Sequence, residues 1–298
     1  MAGPGTEQRV DRASDIVAEA GQTAAAAAAV SGVVMRELTS IQEFEDINLL
    51  LSTIWGSPPS RPHLSAELLR ALSHAGNYVV GAYDGSALVG AGVGFCGPPA
   101  SHTLHSHIVG VATSAQRRNV GFSLKLHQRF WALERDLSTI AWTFDPLIRR
   151  NAHFNLAKLA GSAVTYLPDF YGRMRDGINL GQDSDRILVH WDLTAPEVIE
   201  ACRGRAVSSK ALAVLQVGAT VALGVGPDGE PEPAAPTTAT VLIAVPEDVE
   251  ELRVRHPEIG ARWRTMLRQS LVDAFENGAR IVGFDRRGWY VLQHGPPR

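Results

Sequence analysis

Residues 108–136, IVGVATSAQRRNVGFSLKLHQRFWALERD, constrain the fold more than any other stretch of the chain. A run of β-forming apolar residues gives way to a short basic loop, Gln116-Arg117-Arg118-Asn119-Val120-Gly121. That loop opens directly onto an amphipathic helix whose apolar stripe is Phe122, Leu126, Phe130 and Leu133. The first amides of a helix have no partner inside it, and together with the helix dipole they make a seat for an anion. Two guanidinium groups next to that seat suit phosphate. The stretch therefore predicts a strand–loop–helix unit that holds a phosphate-bearing ligand; the alternative is a plain connection carrying two solvated arginines.

Around this unit the chain reads as mixed α/β. Residues 1–31 are rich in alanine, glycine and polar side chains, too poor in large apolar groups to offset the entropy of ordering. They are expected to form a mobile tail, with a short alanine-driven helix near 13–29 as the alternative. A strand follows over 33–38, and Ser40-Ile41-Gln42-Glu43 has the spacing of a capping box ahead of the periodic face Phe44, Ile47, Leu50, Leu51, Ile54. Residues 56–62 break that helix, and another is expected over 66–74. Asp84-Gly85 joins two β-rich runs, 78–83 and 87–95, as a hairpin. Strand 102–112, helix 120–137, strand 139–144, helix 150–160 and strands 163–167 and 187–193 complete a first domain over 32–195. Residues 196–238 read as a linker with weak strands, two of them over 211–225, and a Pro-rich loop, GPDGEPEPAAP. Residues 239–298 read as a smaller α/β extension: strand 240–245, a helix broken at Pro257, closure at Asn277-Gly278, and two short strands.

Composition narrows the function classes. A formal net charge of -3 argues against a nucleic-acid binder driven by bulk electrostatics. All but three of the 28 Lys+Arg residues are arginine, the lysines being Lys125, Lys158 and Lys210. The two cysteines, Cys96 and Cys202, build no disulfide framework, and no Cys/His spacing suits a metal. No apolar run nears the roughly 18 residues of a membrane span, and the alanine run at 24–29 lacks the basic flank of a signal peptide. The expected protein is soluble and cytoplasmic, with no metal and no nucleic-acid or membrane partner.

The element order and the Gln116–Gly121 loop together resemble the GNAT acetyltransferase superfamily. Its motif runs Arg/Gln-x-x-Gly-x-Gly/Ala. Here Gln116 opens it, Asn119 stands at the first glycine, and Gly121 fills the last place. Asparagine tolerates left-handed backbone better than other residues with a side chain. Further on, WTFDPLIRRNAHFNLAKLAG and YLPDFYG resemble a bacterial branch of predicted acetyltransferases that carry a C-terminal extension. The resemblance implies a mixed, mostly antiparallel central sheet flanked by helices, with a smaller α/β extension. It implies an acyl-CoA-dependent N-acyltransferase, with acetyl-CoA as co-substrate and a small-molecule amine as acceptor.

On that reading, main-chain groups near Val109 and Val111 grip the pantetheine arm, and Gln116, Arg117, Arg118, Asn119, Val120 and Gly121 cradle the pyrophosphate. Asn151 or Asn155 hydrogen-bonds the arm. The ammonium acceptor must lose a proton before attack. His105 and His107, two apart on one strand face, are candidate bases, each with a structural role as its alternative. Asp145 is a third candidate, or a cap for the next helix beside Pro146. Where the family often has a tyrosine acid this chain has Ala157, so Tyr171 or Tyr166 is expected to serve. Arg149 and Arg150 are either a solvated face or contacts for an anion. The rival functions are a non-catalytic CoA-binding regulator and an enzyme with a larger donor such as succinyl-CoA. A further alternative makes the extension an interaction module that pairs two copies as a homodimer.

Overall fold

The computed structural model describes residues 4–56, 62–172, 183–206 and 211–294; the break expected over 56–62 falls largely outside them. The chain divides into two compact units, Met1–Ala141 with Asp192–Ala195, and Trp142–Trp191 with Pro196–Arg298.

The first unit opens on helix α1 (Pro4–Ser31), then strand β1 (Val34–Glu37), α2 (Ile41–Trp55), α3 (Ala66–His74), β2 (Val79–Asp84), β3 (Ala87–Cys96), β4 (Thr103–Val111) and α4 (Val120–Leu133). Strand β5 (Thr139–Phe144) straddles the boundary. The capping box forms as read: Ser40, in extended backbone, accepts from the Glu43 amide at 3.3 Å, while the Glu43 carboxylate accepts from the Ser40 amide at 3.0 Å. It starts α2 where Phe44, Ile47 and Leu51 become core against Val79, Ala91 and Val93 of the sheet. The hairpin that Asp84-Gly85 predicts forms with its turn one residue further on: Asp84 ends β2 paired with Ala87, and Gly85, at φ +58, and Ser86 make the turn.

The mobile tail is a correction. Residues 4–31 are helical, and α1 packs along α4. The smallness that argued for disorder is what permits close approach of two helices: Ala20 and Ala24 are buried, and a Cβ on Gly21 would sit 3.1 Å from the Phe130 ring. Glu19 pairs with the buried Arg129 at 2.9 Å, and the Ser31 and Ser123 hydroxyls meet at 2.7 Å.

The second unit continues with α5 (Arg149–Ala152), which runs on as a π-helical turn over His153–Lys158, then β6 (Ser162–Leu167), β7 (Arg186–Asp192) and α6 (Pro196–Cys202). It closes with α7 (Ala211–Gln216), β8 (Thr220–Val225), β9 (Pro231–Pro233), β10 (Thr240–Ala244), α8 (Val249–Arg255), α9 (Pro257–Glu276), β11 (Ala279–Asp285) and β12 (Trp289–His294). Of the two strands expected over 211–225, the first is the helix α7. Its i, i+3 contacts through Ala211 and Val214 with Leu242 and Val291 outweigh the weak alternation read there. Pro257 divides α8 from α9 as expected, taking the first helical position, where its missing amide costs nothing.

Two sheets result. The larger is seven-stranded, mostly antiparallel, in the order β1-β2-β3-β4-β5-β7-β6. Its β4–β5 pairing is parallel. The smaller is five-stranded, in the order β11-β12-β10-β8-β9, with Trp263, Leu267 and Leu271 of α9 fully buried. No helix among the described residues is long and apolar enough to cross a membrane.

Candidate functional site

Strand β4 has two unlike edges. Along β3 it is paired from Leu104 to Val111. Along β5 the pairing covers only Thr103↔Thr139, Leu104↔Ile140 and His105↔Ala141. From Ser106 onward, β4 has no ladder partner on that side among the described residues. Successive residues of a strand turn their main-chain groups to opposite edges. Ala112 donates to the Val89 carbonyl at 2.8 Å on the β3 side. Val111 and Val109 therefore direct their N–H and C=O groups to the open edge.

This edge leads through a 3-10 turn, Thr113–Ala115, into the basic loop. Arg117 and Asn119 both have left-handed backbone, at φ 64 and φ 65, and Asn119 begins α4 with no side-chain cap. Asn119 thus takes the conformation for which glycine is usual. Gly121, in the first helical turn, meets no packing demand. A Cβ there would find a single neighbour within 4 Å, the Val111 Cγ2 at 3.7 Å. Glycine inside a helix costs about 0.5–1 kcal/mol relative to alanine, and no packing contact among the described residues offsets that cost at Gly121.

The two arginines of the loop differ. Arg118 donates to Asp84 Oδ2 at 2.7 Å and to the Ser31 carbonyl at 3.1 Å. It ties the loop to the β2–β3 turn and to the end of α1, contacts that the sequence did not anticipate. Arg117 is exposed and makes no ion pair with the described residues. Arg117→Ala is expected to weaken binding of an anionic ligand several-fold more than Arg118→Ala. The Arg118 change should lower stability by less than about 1 kcal/mol, as for other exposed pairs; calorimetry and a denaturant melt read the two effects.

His105 and His107 share a cluster with Phe95: ring centroids lie 4.9 Å apart for Phe95–His105, 5.9 Å for Phe95–His107 and 6.0 Å for the two histidines. The register shifts between Val93↔Ile108 and Gly94↔Ser106, leaving His107 as the extra residue of a β-bulge. Bulges re-aim side chains and interrupt pairing. Burial lowers both histidines below the usual imidazole value, and the charges of His107 and Lys125 lower His105 further. Lys125 went unread as a site residue. It is buried in α4, donates to Ser106 Oγ at 2.8 Å and Gln128 Oε1 at 3.1 Å, and burial depresses its ammonium strongly. Its one signal in the sequence is a scarce lysine set between Leu124 and Leu126.

The remaining candidates belong to the second unit. Asp145 is buried and fully engaged. Arg253 donates to its Oδ2 at 2.8 Å, Arg264 donates to both oxygens at 2.9 and 2.7 Å, and the Leu147 amide donates to Oδ1 at 3.0 Å. The two guanidinium groups overcome the cost of burial and hold the carboxyl well below its usual range. A carboxylate so held is a poor proton acceptor, and we assign it to structure. Tyr166 donates to Asp185 Oδ2 at 2.5 Å, and burial with that carboxylate pushes its hydroxyl far up. Tyr171 is exposed, its hydroxyl 3.3 Å from Thr143 Oγ1. Asn151 is half-buried, and Asn155 is buried with its carbonyl accepting from the Gly161 amide at 2.9 Å. Ala157 is buried. Among the described residues, no group of three or more His, Cys, Asp or Glu could hold a metal ion.

No protein-family model matches the chain, and no curated protein matches it by sequence. Among solved structures it is similar to acetyltransferases of the GNAT family. The ribosomal-protein-S18-alanine N-acetyltransferase of Escherichia coli is 10% identical, at a TM-score of 0.45, over 55% of this chain and 95% of that one. A GNAT acetyltransferase from Streptococcus pneumoniae is 11% identical, at 0.44, over 53% of this chain and 97% of that one. The yncA protein of Salmonella typhimurium, solved with its cofactor acetyl-CoA, is 13% identical, at 0.43, over 54% of this chain and 94% of that one. At these values the chemistry has to be argued from the residues of this chain.

Proposed function

We propose that the chain is an acyl-CoA-dependent N-acyltransferase, with acetyl-CoA as donor and a small-molecule amine as acceptor. One observation carries the reading: the open edge of β4 at Val109 and Val111 runs directly into an uncapped helix start where Gly121 leaves room. An extended arm ending in a pyrophosphate matches that sequence of features, main-chain donors and acceptors first and an anion seat second. Bound acetyl-CoA supplies an acyl group already activated as a thioester. The chain then has to hold that arm, orient the amine, and accept the proton that the ammonium loses; proximity provides much of the rate. His107 and His105 are the residues for the proton. Because their imidazoles are held below the ordinary value, both are neutral and able to accept a proton at neutral pH.

The expected pH profile follows from that sign. Activity should rise with pH through an inflection below about 6.5, the ordinary imidazole value, and stay on a plateau through neutrality. Removing the active base, by His107→Ala or His105→Ala, should lower kcat by about 10²–10⁴ and erase the inflection. Thiol release with an amine panel, supplied in turn with acetyl-CoA and succinyl-CoA, measures both. An unchanged rate and profile in both variants removes the histidines from the mechanism.

A second reading, a CoA-binding protein without catalysis, is favoured by the buried Ala157 and by the engagement of the Tyr166 hydroxyl with Asp185, which leave Tyr171 as the candidate acid. Calorimetric binding of CoA with no thiol release from any amine would select it.

A further inference from the structure

The second unit holds a pocket of about 450 Å³ that plays no part in the reading above. Its walls come from the start of α5, the segment leading into α8, and the turn between β11 and β12. Ile148, Phe154 and Val249 supply an apolar lining. Around it stand three arginines and three carboxylates: Arg149, Arg150 and Arg286, with Glu247, Asp248 and Glu250.

These charges do not simply cancel. Arg150 and Glu250 form a two-pronged pair with each other and are spent. Arg149 gives its Nε and Nη2 to the Arg286 carbonyl at 2.9 and 2.7 Å. That contact satisfies two donors, and Arg149 makes no ion pair with the described residues. The Arg286 side chain is exposed and makes no ion pair with the described residues. His153 faces the same group: Arg286 and Arg149 are among the charges that lower its pKa, after burial itself. The pocket thus has a cationic corner of Arg149 and Arg286, built on α5 and the β11–β12 turn. Its anionic corner is on a different element. Glu247 is exposed and makes no ion pair with the described residues, and Asp248 uses one oxygen to cap α8 through the Glu251 amide at 2.9 Å.

We propose that this pocket binds a small zwitterion, a molecule carrying a carboxylate and an ammonium on one short apolar body, as in an α-amino acid. The carboxylate pairs with Arg286 and Arg149, the ammonium pairs with Glu247 and Asp248, and the body rests on Ile148, Phe154 and Val249. A lone anion would meet the carboxylates and a lone cation the arginines, so each half-ligand suffers a repulsion that the zwitterion avoids. The volume lies within the range of small-molecule sites. The proposal does not rest on the acyl-transfer reading and survives its failure.

The test is direct binding to the full-length protein. A panel of the common amino acids is screened by calorimetry, and the best ligand is compared with its deamino acid and its decarboxylated amine. The zwitterion is expected to bind about tenfold or more tightly than either half, as befits the loss of one charge-assisted contact. Arg286→Ala and Glu247→Gln alter exposed side chains and leave the Arg286 carbonyl in place for Arg149. Each should weaken binding about tenfold with an unchanged melting temperature. Three results overturn the proposal: no binding across the panel, a deamino acid that binds as well as the amino acid, or affinity that neither variant alters.

Discussion

Replacing Asp145 with asparagine is expected to cost the fold about 3–5 kcal/mol, because it leaves two buried guanidinium groups without their counter-charge. Arg253 and the Arg264 side chain are nearly inaccessible, at 0% and 5%. The Nε of Arg264 already finds no hydrogen-bond partner, so weakening its contact with Asp145 adds to a donor that burial leaves unsatisfied. Against a total stability of roughly 5–15 kcal/mol, such a loss is a large share of what holds the chain folded. It should appear as a fall in the denaturant midpoint. The same group sets an acid limit. Its carboxyl is depressed in the fold, so its contribution is fully present above the unfolded carboxylate value, about 3.9, and is lost as pH falls through the lower folded value. Replacing all three members together, Asp145→Leu with Arg253→Met and Arg264→Met, should recover most of the loss, since well-packed apolar groups often equal a buried ionic cluster. An Asp145→Asn variant within about 1 kcal/mol of the parent would mean that water reaches the cluster.

The network also matters locally. Asp145 accepts from the Leu147 amide, and Tyr290 donates to the Pro146 carbonyl at 2.7 Å. The four residues that lead into α5 are therefore pinned by side chains from α8, α9 and β12. The C-terminal extension is part of what shapes the segment carrying Asn151 and Asn155, and it is more than an appendage.

This network marks where the sequence stopped being readable. Local signals held: the Ser40–Glu43 box, the hairpin between β2 and β3, the start of α4 at Val120 and the Pro257 break all depend on residues within a few positions of one another. Asp145 beside Pro146 looked like a cap or a base because its true partners lie more than a hundred residues away, on helices whose arginines resemble any solvated face. Arg118 and Arg117 are neighbours with the same chemistry, and only the fold, by placing Asp84 and the end of α1 beside one of them, separates their roles. The N-terminal helix is legible only as a short alanine-driven alternative near 13–29, and its full length and packing are hidden for a different reason. Small residues carry almost no hydrophobic signal, yet they are what lets α1 lie close against Phe130. The β-bulge at His107 is set by its pairing with β3, which no pattern within β4 itself reports.

Gly121 offers a separation that none of these residues does, because stability and binding should move in opposite directions. Gly121→Ala adds a methyl into space where its only neighbour within 4 Å is Val111 Cγ2 at 3.7 Å. It removes the entropic cost of glycine in a helix, so the protein should gain about 0.5–1 kcal/mol. Gly121→Glu places a carboxylate in the first turn of α4, where the dipole favours it by about 0.3–1 kcal/mol, so that variant should also fold well. Both side chains intrude on the ground proposed for the pyrophosphate. For Gly121→Glu the intrusion is also electrostatic, one anion against another in the same seat, and affinity for CoA should fall by about a hundredfold, worth about 2.7 kcal/mol. A glycine kept for packing would lose stability on substitution and leave affinity alone. If instead both variants melt higher and still bind CoA at full strength in calorimetry, the pyrophosphate does not sit at the start of α4. The open edge of β4 then needs another occupant.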